Sequence, residues 1–202
     1  DKVRYSLTCM MEMTADGVVA ATDVFKSAIK SRRRFTYEEV DEYLANRAAW
    51  KKKLTPEVHA LLGRMHELAM MLRGRRFKRG ALELSMPELK IDLDADGRVT
   101  GAHLEKNTDS HQIIEEFMLS ANVAVAEKLE DAGLIFLRRI HGSPDPRKMR
   151  ALTEFVRELG FEVENLENRF ELQKLLDSVK GDTREHAINY ATLRSMQRAT
   201  YS

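Results

Sequence analysis

The chain has 202 residues, of which 43% are hydrophobic and 32% are charged, and its formal net charge is +1. These proportions fit a single soluble domain, or part of a larger one, with a real core, and the near-neutral balance does not by itself indicate a nucleic-acid binder. A single cysteine, Cys9, excludes an internal disulfide and favours a reduced, intracellular compartment. No run is long and apolar enough to span a membrane, and the first residues do not resemble a signal peptide. We therefore expect a cytoplasmic protein.

Two β-hairpins and one further strand are predicted. Apolar side chains alternate along "VRYSLTCMMEM" from Val3 to Met13, which is typical of a half-buried strand. The turn "TADG" then leads into a partner strand over Val18 to Ile29. "ELKIDL", "DADG" and "RVTGAHL" predict a second hairpin, and "LIFLRRI" predicts a short strand.

The first helices are predicted from their start motifs. Thr36 has the position of an N-cap, and Glu39 completes a capping box with it. The residues around Trp50, with the following "KKK", are predicted to be a polar linker. Thr55 and Pro56 then supply the cap and the first-turn proline of a long helix.

Helices dominate the second half of the chain. The stretch Gln112 to Leu129 predicts one amphipathic helix, and Asp145 begins another that ends at Gly160. Two more helices are predicted over 167–179 and 183–198. Hairpins early and helices late indicate an α/β to α+β fold, with antiparallel hairpins and one further strand packed against several helices.

A calcium loop is the first candidate site. Asp92, Asp94 and Asp96 alternate and Gly97 follows, as at the start of an EF-hand loop. The twelfth position is His103, however, where a bidentate glutamate is needed, and the flanking residues alternate like strands. We therefore favour a hairpin turn.

The histidines show no metal-ligand spacing. His59 and His66 share a helix face but are about 10 Å apart by helical rise, whereas metal–ligand bonds are about 2 Å long. We interpret them as surface histidines. The others, which are His103, His111, His141 and His186, are not spaced as metal ligands either.

Basic residues cluster in four runs, "SRRRF", "WKKK", "RGRRFKRG" and "LRRIH". Together they either form a basic stripe for phosphates or are solvated helix ends, where lysine and arginine are favoured. The sequence leaves both interpretations open.

Two adjacent glutamates in the helix that contains "QIIEEFMLSAN" are predicted to differ. At 100° per residue Glu116 falls well outside the apolar arc, so we expect it to face solvent. Glu115 falls with Asn122 at the margin of the arc, where a polar group needs a partner. Periodicity favours an intramolecular partner, such as an arginine, over a ligand hydroxyl.

Several of these stretches resemble one family in the same order along the chain. "IKSRRRFTYEEV", "RGALELSMPELKIDLDADGRV", "HQIIEEFMLSANVAVAEKL", "LRRIHGSPDPRKMRAL" and "LRSMQRATYS" resemble the catalytic (RNB) domain of the ribonuclease II / ribonuclease R exoribonucleases. The details are more similar to ribonuclease R. The resemblance covers 1–202 and implies the central segment of a single catalytic domain, incomplete at both ends.

This resemblance implies a 3′-to-5′ exoribonuclease that hydrolyses single-stranded RNA to nucleoside 5′-monophosphates with Mg²⁺. Glu115 matches the first glutamate of the family's "EE" motif, which recognises ribose hydroxyls, and Tyr37 matches a tyrosine that helps to select RNA over DNA. Leu84 stands where relatives often carry a base-stacking phenylalanine, so only apolar contact is expected there. Arg139 and His141 match the family's "RIH" pattern without an assigned step.

The family's metal-binding aspartates and catalytic arginine match nothing in this chain, which implies that the chain alone binds no metal and is inactive. The alternative interpretation is a non-catalytic RNA-binding or partner-binding module of a degenerate relative, for which Leu84 is the one indication. The sequence predicts no oligomeric state.

Overall fold

A computed structural model describes residues 2–84, 86, 88–105 and 107–202. The elements in chain order are β1 (Arg4–Met13), β2 (Val19–Ile29), α1 (Tyr37–Ala45), α2 (Arg47–Trp50), α3 (Pro56–Lys78), β3 (Glu88–Leu93), β4 (Val99–Glu105), α4 (Asp109–Asp131), β5 (Arg139–His141), α5 (Pro146–Glu158), α6 (Arg169–Ser178), α7 (Glu185–Ser195) and β6 (Ala199–Tyr201). The strands pair antiparallel as β1–β2, β3–β4 and β5–β6. Helices with antiparallel strand pairs confirm the predicted fold class.

The chain divides into two compact units. Unit 1 comprises residues 1–75 and 107–136, and unit 2 comprises residues 76–106 and 137–202. In the described part of the chain, no helix combines the length and the apolar character needed to cross a membrane.

The predicted first hairpin is present and lies in unit 1. Gly17 has a φ of +77°, and its N–H donates to the carbonyl of Thr14 at 2.9 Å to close the turn. The expected half-buried face is only partly present. Tyr5 is 92% exposed and Leu7 is 72% exposed, whereas Cys9 is half-buried.

The core of unit 1 is built from Tyr43, Trp50, Leu54 and Leu62. Trp50 is only 5% exposed, so the prediction of a polar linker around it was wrong. The segment forms α2, because the Asn46 side chain accepts the N–H of Ala49 and caps the short helix. The Trp50 ring then packs edge-on against Tyr43, with 6.5 Å between ring centroids.

Unit 2 has a separate core under α5, α6 and α7. Its buried members are Met149, Leu152, Val156, Leu166, Leu172, Leu175, Leu176, Val179 and Ile188. Asp145 caps α5 through the N–H of Arg147, and Gly160 follows the helix with a φ of +87°, both as predicted.

The predicted strand over "LIFLRRI" is shorter than expected, and the second hairpin turn is as expected. Of "LIFLRRI", only Arg139 and Ile140 form a strand, which continues to His141 and pairs with β6, a strand that was not predicted. The interpretation of the aspartate loop as a hairpin turn is confirmed. Asp94 Oδ1 accepts the N–H groups of Asp96 and Arg98 at 2.9 and 2.8 Å, and Gly97 has a φ of +78°.

Candidate functional site

The three residues singled out by the family resemblance lie in both units. Tyr37 is the first residue of α1, and Glu115 lies in the second turn of α4, both in unit 1. Leu84 belongs to unit 2, where it is half-buried and packs against the apolar core under α5, α6 and α7.

Tyr37 is held at the start of α1 by a capping box. The Thr36 hydroxyl accepts the N–H of Glu39, while the Glu39 carboxylate accepts the N–H of Thr36 at 2.9 Å. This reciprocal pair satisfies donors that the helix itself cannot satisfy and fixes the first turn. The capping box predicted from the sequence is therefore present, and it determines where the Tyr37 side chain leaves the backbone.

The Tyr37 ring stacks on the ring of His111 from α4. The ring centroids are 3.9 Å apart and the planes are inclined by 18°. Tyr37 remains 43% exposed, while His111 is half-buried. One face of the phenol ring is thus covered by the imidazole, while much of the side chain stays open to solvent.

Thr108, at the N-terminus of α4, connects this stack to α1. Its hydroxyl donates to Asp41 Oδ2 at 2.7 Å and lies 2.9 Å from both Ser110 Oγ and His111 Nδ1. A hydroxyl has one hydrogen to donate and two lone pairs. Because a carboxylate takes the hydrogen, Ser110 and His111 must be the donors, so Nδ1 of His111 carries a proton.

Asp41 also caps α4 from outside the helix. Thr108 has the N-cap position but makes no side-chain cap hydrogen bond, since its hydroxyl is directed to Asp41. The other carboxylate oxygen of Asp41 accepts the N–H of Ser110 at 3.3 Å. One carboxylate of α1 thereby serves both the helix N-terminus and the residue that holds His111.

The N-terminus of α4 has a second attachment through Asp109. His66 Nε2 lies 2.9 Å from Asp109 Oδ2, and its Nδ1 lies 3.2 Å from Arg47 Nη2. Arginine can only donate, so Nδ1 of His66 accepts and Nε2 donates to Asp109. The interpretation of His59 and His66 as surface histidines is therefore incomplete, because both are half-buried and His59 contacts the Arg47 carbonyl at 3.2 Å.

Glu115 follows His111 by four residues on α4. Residues at this spacing lie one above the other on the same helix face, and helical side chains lean toward the N-terminus. Glu115, which is half-buried, therefore lies on the helix face that carries His111, the residue whose ring stacks on Tyr37. Tyr37 and Glu115 thus belong to α1 and α4, two helices of unit 1 that contact each other.

The prediction for Glu116 was wrong. Its side chain is 2% exposed, although the helical pattern placed it toward solvent. Ser110, Ile113 and Ala124 are also buried in α4, so the covered face includes polar positions. Both Glu115 and Glu116 have interaction partners within the protein, and Asn122 is exposed.

A pocket of about 410 Å³ opens beside Tyr37. Apolar side chains form much of its lining, which includes Phe35, Val40, Leu62, Met65, Ile113 and Ile114. Arg34, Tyr37 and Glu38 add polar groups. An apolar cleft with a few polar groups is the usual form of a ligand site.

The charge near Tyr37 is set by the next residue. The pKa of Glu38 lies below its usual value of 4.5, first because its carboxylate accepts a hydrogen bond from its own backbone N–H and then because of the Thr36 hydroxyl. Glu38 is therefore negatively charged at neutral pH. An anion in the first turn is favoured by the dipole of α1.

The structure brings two of the four basic runs together in unit 1. Arg33 Nη1 donates to the carbonyl of Lys53 at 3.1 Å, and Arg33 also pairs with Glu39 at 3.7 Å. Both cations lie over the Trp50 ring, Arg33 at 5.8 Å and Lys53 at 4.6 Å from its centroid. Arg33 thus has a structural function, while the neighbouring Arg34 faces the pocket beside Tyr37.

The described residues do not fit a magnesium site. Within residues 2–84, 86, 88–105 and 107–202, no three His, Cys, Asp or Glu side chains come together in a way that would hold a metal ion. We therefore assign no hydrolytic step to these residues.

Sequence analysis missed the Asp41–Thr108–His111 chain. His111 was considered only as a metal ligand, and Thr108 and Asp41 are separated by 67 residues. The one local clue is "NTDSHQ", in which a threonine precedes an acidic residue at a helix start. The hydrogen bond from the Thr108 hydroxyl to the distant Asp41 carboxylate, however, cannot be predicted from local sequence.

Comparisons with known proteins assign the family. Residues 1–202 match the family described as RNB domain. The chain is 36% identical over 204 residues to "Ribonuclease R" of Thermotoga maritima, and the match covers 100% of this chain and 28% of that protein. It is 33% identical over 202 residues to "Ribonuclease R" of Aquifex aeolicus, covering 98% of this chain and 28% of that protein. The chain thus spans less than a third of the length of these relatives.

Solved structures show the same fold. RNase R of Mycoplasma genitalium, solved in complex with ribose methylated single-stranded RNA, superposes with a TM-score of 0.89 at 24% identity, over 100% of this chain and 32% of that one. Yeast Ssd1, described as a pseudonuclease, gives a TM-score of 0.65 at 21% identity, over 99% of this chain and 24% of that one. The family predicted from the sequence is confirmed: the chain belongs to the RNB-domain family, and the two relatives compared above are both named ribonuclease R.

Proposed function

We propose that the natural protein that carries this chain is a 3′-to-5′ exoribonuclease that hydrolyses single-stranded RNA to nucleoside 5′-monophosphates. The observation that carries the proposal is the match of the whole chain to the RNB domain, with 36% identity to a ribonuclease R. The similar fold of a ribonuclease R that was solved with single-stranded RNA supports the substrate class. A further solved structure of that protein contains double-stranded RNA.

Within this chain we assign Tyr37 and Glu115 to ribose recognition. A 2′-hydroxyl is both a donor and an acceptor, so a phenol and a carboxylate from two contacting helices suit it. The exposure of Tyr37 and its stacking on His111 support this assignment, because the phenol is held and yet accessible.

Leu84 is proposed to give only apolar contact with a terminal base. Leucine lacks the π-face that would stack on a base, and in unit 2 Leu84 already packs against the core. Its contribution to RNA binding is therefore expected to be smaller than that of Tyr37.

Hydrolysis in this family member is proposed to depend on groups outside residues 1–202. Mg²⁺ held by aspartates would activate water and stabilise the leaving oxygen, and an arginine would complete the site. By this proposal the isolated chain binds RNA weakly and does not cleave it.

The test uses the natural protein that carries the chain, with a 5′-labelled single-stranded RNA and Mg²⁺. Stepwise shortening from the 3′ end with release of nucleoside 5′-monophosphates is expected, and EDTA should stop it. The control is the same RNA circularised, which has no 3′ end and should persist. Internal cleavage of the circle, or intact linear RNA despite an aspartate cluster, would overturn the proposal.

A non-catalytic RNA-binding module is the second candidate. It is favoured by the similar fold of a pseudonuclease and by the leucine at position 84. Such a protein would bind RNA with an affinity that falls steeply with salt, because phosphate contacts release counterions, and would leave the RNA intact. Measuring binding and product formation in the same salt series separates the two functions.

A further inference from the structure

His111 has no role in the assignments above, yet it has the closest aromatic contact with Tyr37. The two rings are almost parallel at 3.9 Å. A tyrosine that is 43% exposed would otherwise sample several rotamers, because little packing restrains it. The covered face of the ring leaves one side on which a ligand can meet the phenol.

The His111 ring is itself fixed. Its Nδ1 donates to Thr108 Oγ1 at 2.9 Å, and Thr108 donates to Asp41 Oδ2 at 2.7 Å. The carboxylate can only accept, so the direction of both hydrogen bonds is determined. A carboxylate, a hydroxyl and an imidazole therefore form a directed chain from the body of α1 to the ring that backs the first residue of the same helix.

We infer that His111 is a positioning residue for Tyr37, held by Asp41 through Thr108, and that this support sets how strongly the protein selects RNA over DNA. The inference rests on the proposed ribose contact of Tyr37. Because a hydrogen bond to a hydroxyl weakens steeply when the donor and acceptor are misaligned, a mobile phenol recognises a 2′-hydroxyl poorly. His111 is not required to touch the RNA.

The hydrogen bonds that Asp41 accepts from the start of α4 also help to position Glu115. Glu115 lies one helical turn beyond His111 on the same face. The N-terminus of α4, which Asp41 holds through Thr108 and the Ser110 N–H, therefore carries both Glu115 and the ring that stacks on Tyr37. Loosening this attachment should affect recognition of the ribose more than overall affinity for phosphates.

The test measures the ratio of turnover on RNA to turnover on DNA of the same sequence, using the natural protein that carries the chain. This ratio is insensitive to the amount of folded enzyme. His111→Ala should lower it about tenfold, the value of one well-placed hydrogen bond. Tyr37→Phe should give a similar loss, and the double variant should lose no more than Tyr37→Phe alone.

Two further variants separate the stack from the hydrogen bond. His111→Phe keeps a ring beneath Tyr37 and should retain more of the selectivity than His111→Ala. Thr108→Val removes the hydroxyl at nearly constant volume and should produce a smaller loss, and it remains informative if the alanine variant does not fold. His186→Ala is the matched control, because His186 stacks on Tyr190 in unit 2, and it should leave the ratio unchanged.

The outcomes distinguish this inference from the proposed function. If the wild-type protein releases no mononucleotides, the proposed function is overturned. The variants are then compared by their binding of RNA and DNA, and the same loss of preference for RNA is expected. A folded His111→Ala protein that keeps the wild-type preference overturns the positioning role. Fully additive losses in His111→Ala and Tyr37→Phe would overturn it as well.

Discussion

Glu115 and Glu116 are adjacent in α4, and Glu116 is the more deeply buried of the two, with 2% of its side chain exposed. Glu116 takes part in an interaction within the protein, and removing one member of a buried polar contact leaves the other unsatisfied. We expect Glu116→Ala to lower the free energy of unfolding by about 1–3 kcal/mol.

The measurement is denaturant unfolding of the isolated chain, followed by circular dichroism. Glu127→Ala is the matched control, because Glu127 is exposed on the same helix and such surface changes are usually within about 0.5 kcal/mol. Equal stability of the two variants would contradict a structural function for Glu116.

The misplacement of Glu116 shows what a helical pattern can and cannot predict. The spacing of apolar residues correctly predicted the α4 helix, but the face that is covered depends on its neighbours. Asp41 of α1 accepts hydrogen bonds from Thr108 and Ser110 at the polar N-terminus of α4, whereas the apolar Met118 of the same helix is exposed. These contacts are long-range in sequence, so periodicity cannot supply them.

A second prediction concerns Tyr37 and Glu115. We expect Tyr37→Ala and Glu115→Ala each to relax discrimination against DNA about tenfold in the natural protein, because each removes one partner of the 2′-hydroxyl. Competition between RNA and DNA strands of one sequence gives the measurement. Tyr190→Ala and Glu127→Ala, both at exposed positions, are the controls. If both test variants kept the wild-type preference for RNA, Tyr37 and Glu115 would not be ribose-recognition residues.

Leu84 provides a third prediction. It packs half-buried against the core of unit 2. Leu84→Ala should therefore lower the free energy of unfolding by about 1–3 kcal/mol, toward the lower end of the about 2–5 kcal/mol found for buried leucines. Chemical denaturation of the chain tests this, with the exposed Leu137→Ala as control. A loss of RNA affinity without any loss of stability would show instead that Leu84 acts mainly at the RNA.

The hairpins could be predicted from the sequence, whereas the burial of Trp50 and the pairing of β5 with β6 could not. Alternation and the "ADG" turns predicted both hairpins, because turn chemistry is local. Alternation did not reveal that Tyr5 and Leu7 would be exposed, since it shows only which residues share a face. Trp50 lies in an otherwise polar stretch, and β6 pairs with β5 at a separation of 58 to 62 residues, so local sequence patterns could not predict either feature.

The fourth prediction follows from Asp182, whose carboxylate is only 27% exposed. The Arg184 guanidinium donates to both of its oxygens, at 2.8 and 2.6 Å, and the Arg184 N–H adds a third bond. These contacts hold the pKa of Asp182 well below its usual 3.8, with the guanidinium hydrogen bonds as the largest cause. Arg184 also donates to the Leu159 carbonyl at 2.7 Å, which ties the end of α5 to the start of α7.

A carboxyl whose pKa is lower in the folded protein binds protons more readily when unfolded, so it stabilises the fold above pH 4 and loses that effect as the pH falls further. We expect Asp182→Asn to lower the Tm at pH 7 and the gap from wild type to narrow between about pH 4 and pH 2. Arg184→Lys keeps the positive charge but not the guanidinium that bonds both carboxylate oxygens, so it should reproduce part of the decrease in Tm at pH 7. Thermal unfolding across this pH range is the measurement, and a gap that stays constant down to pH 2 would show that the ion pair does not contribute to acid stability.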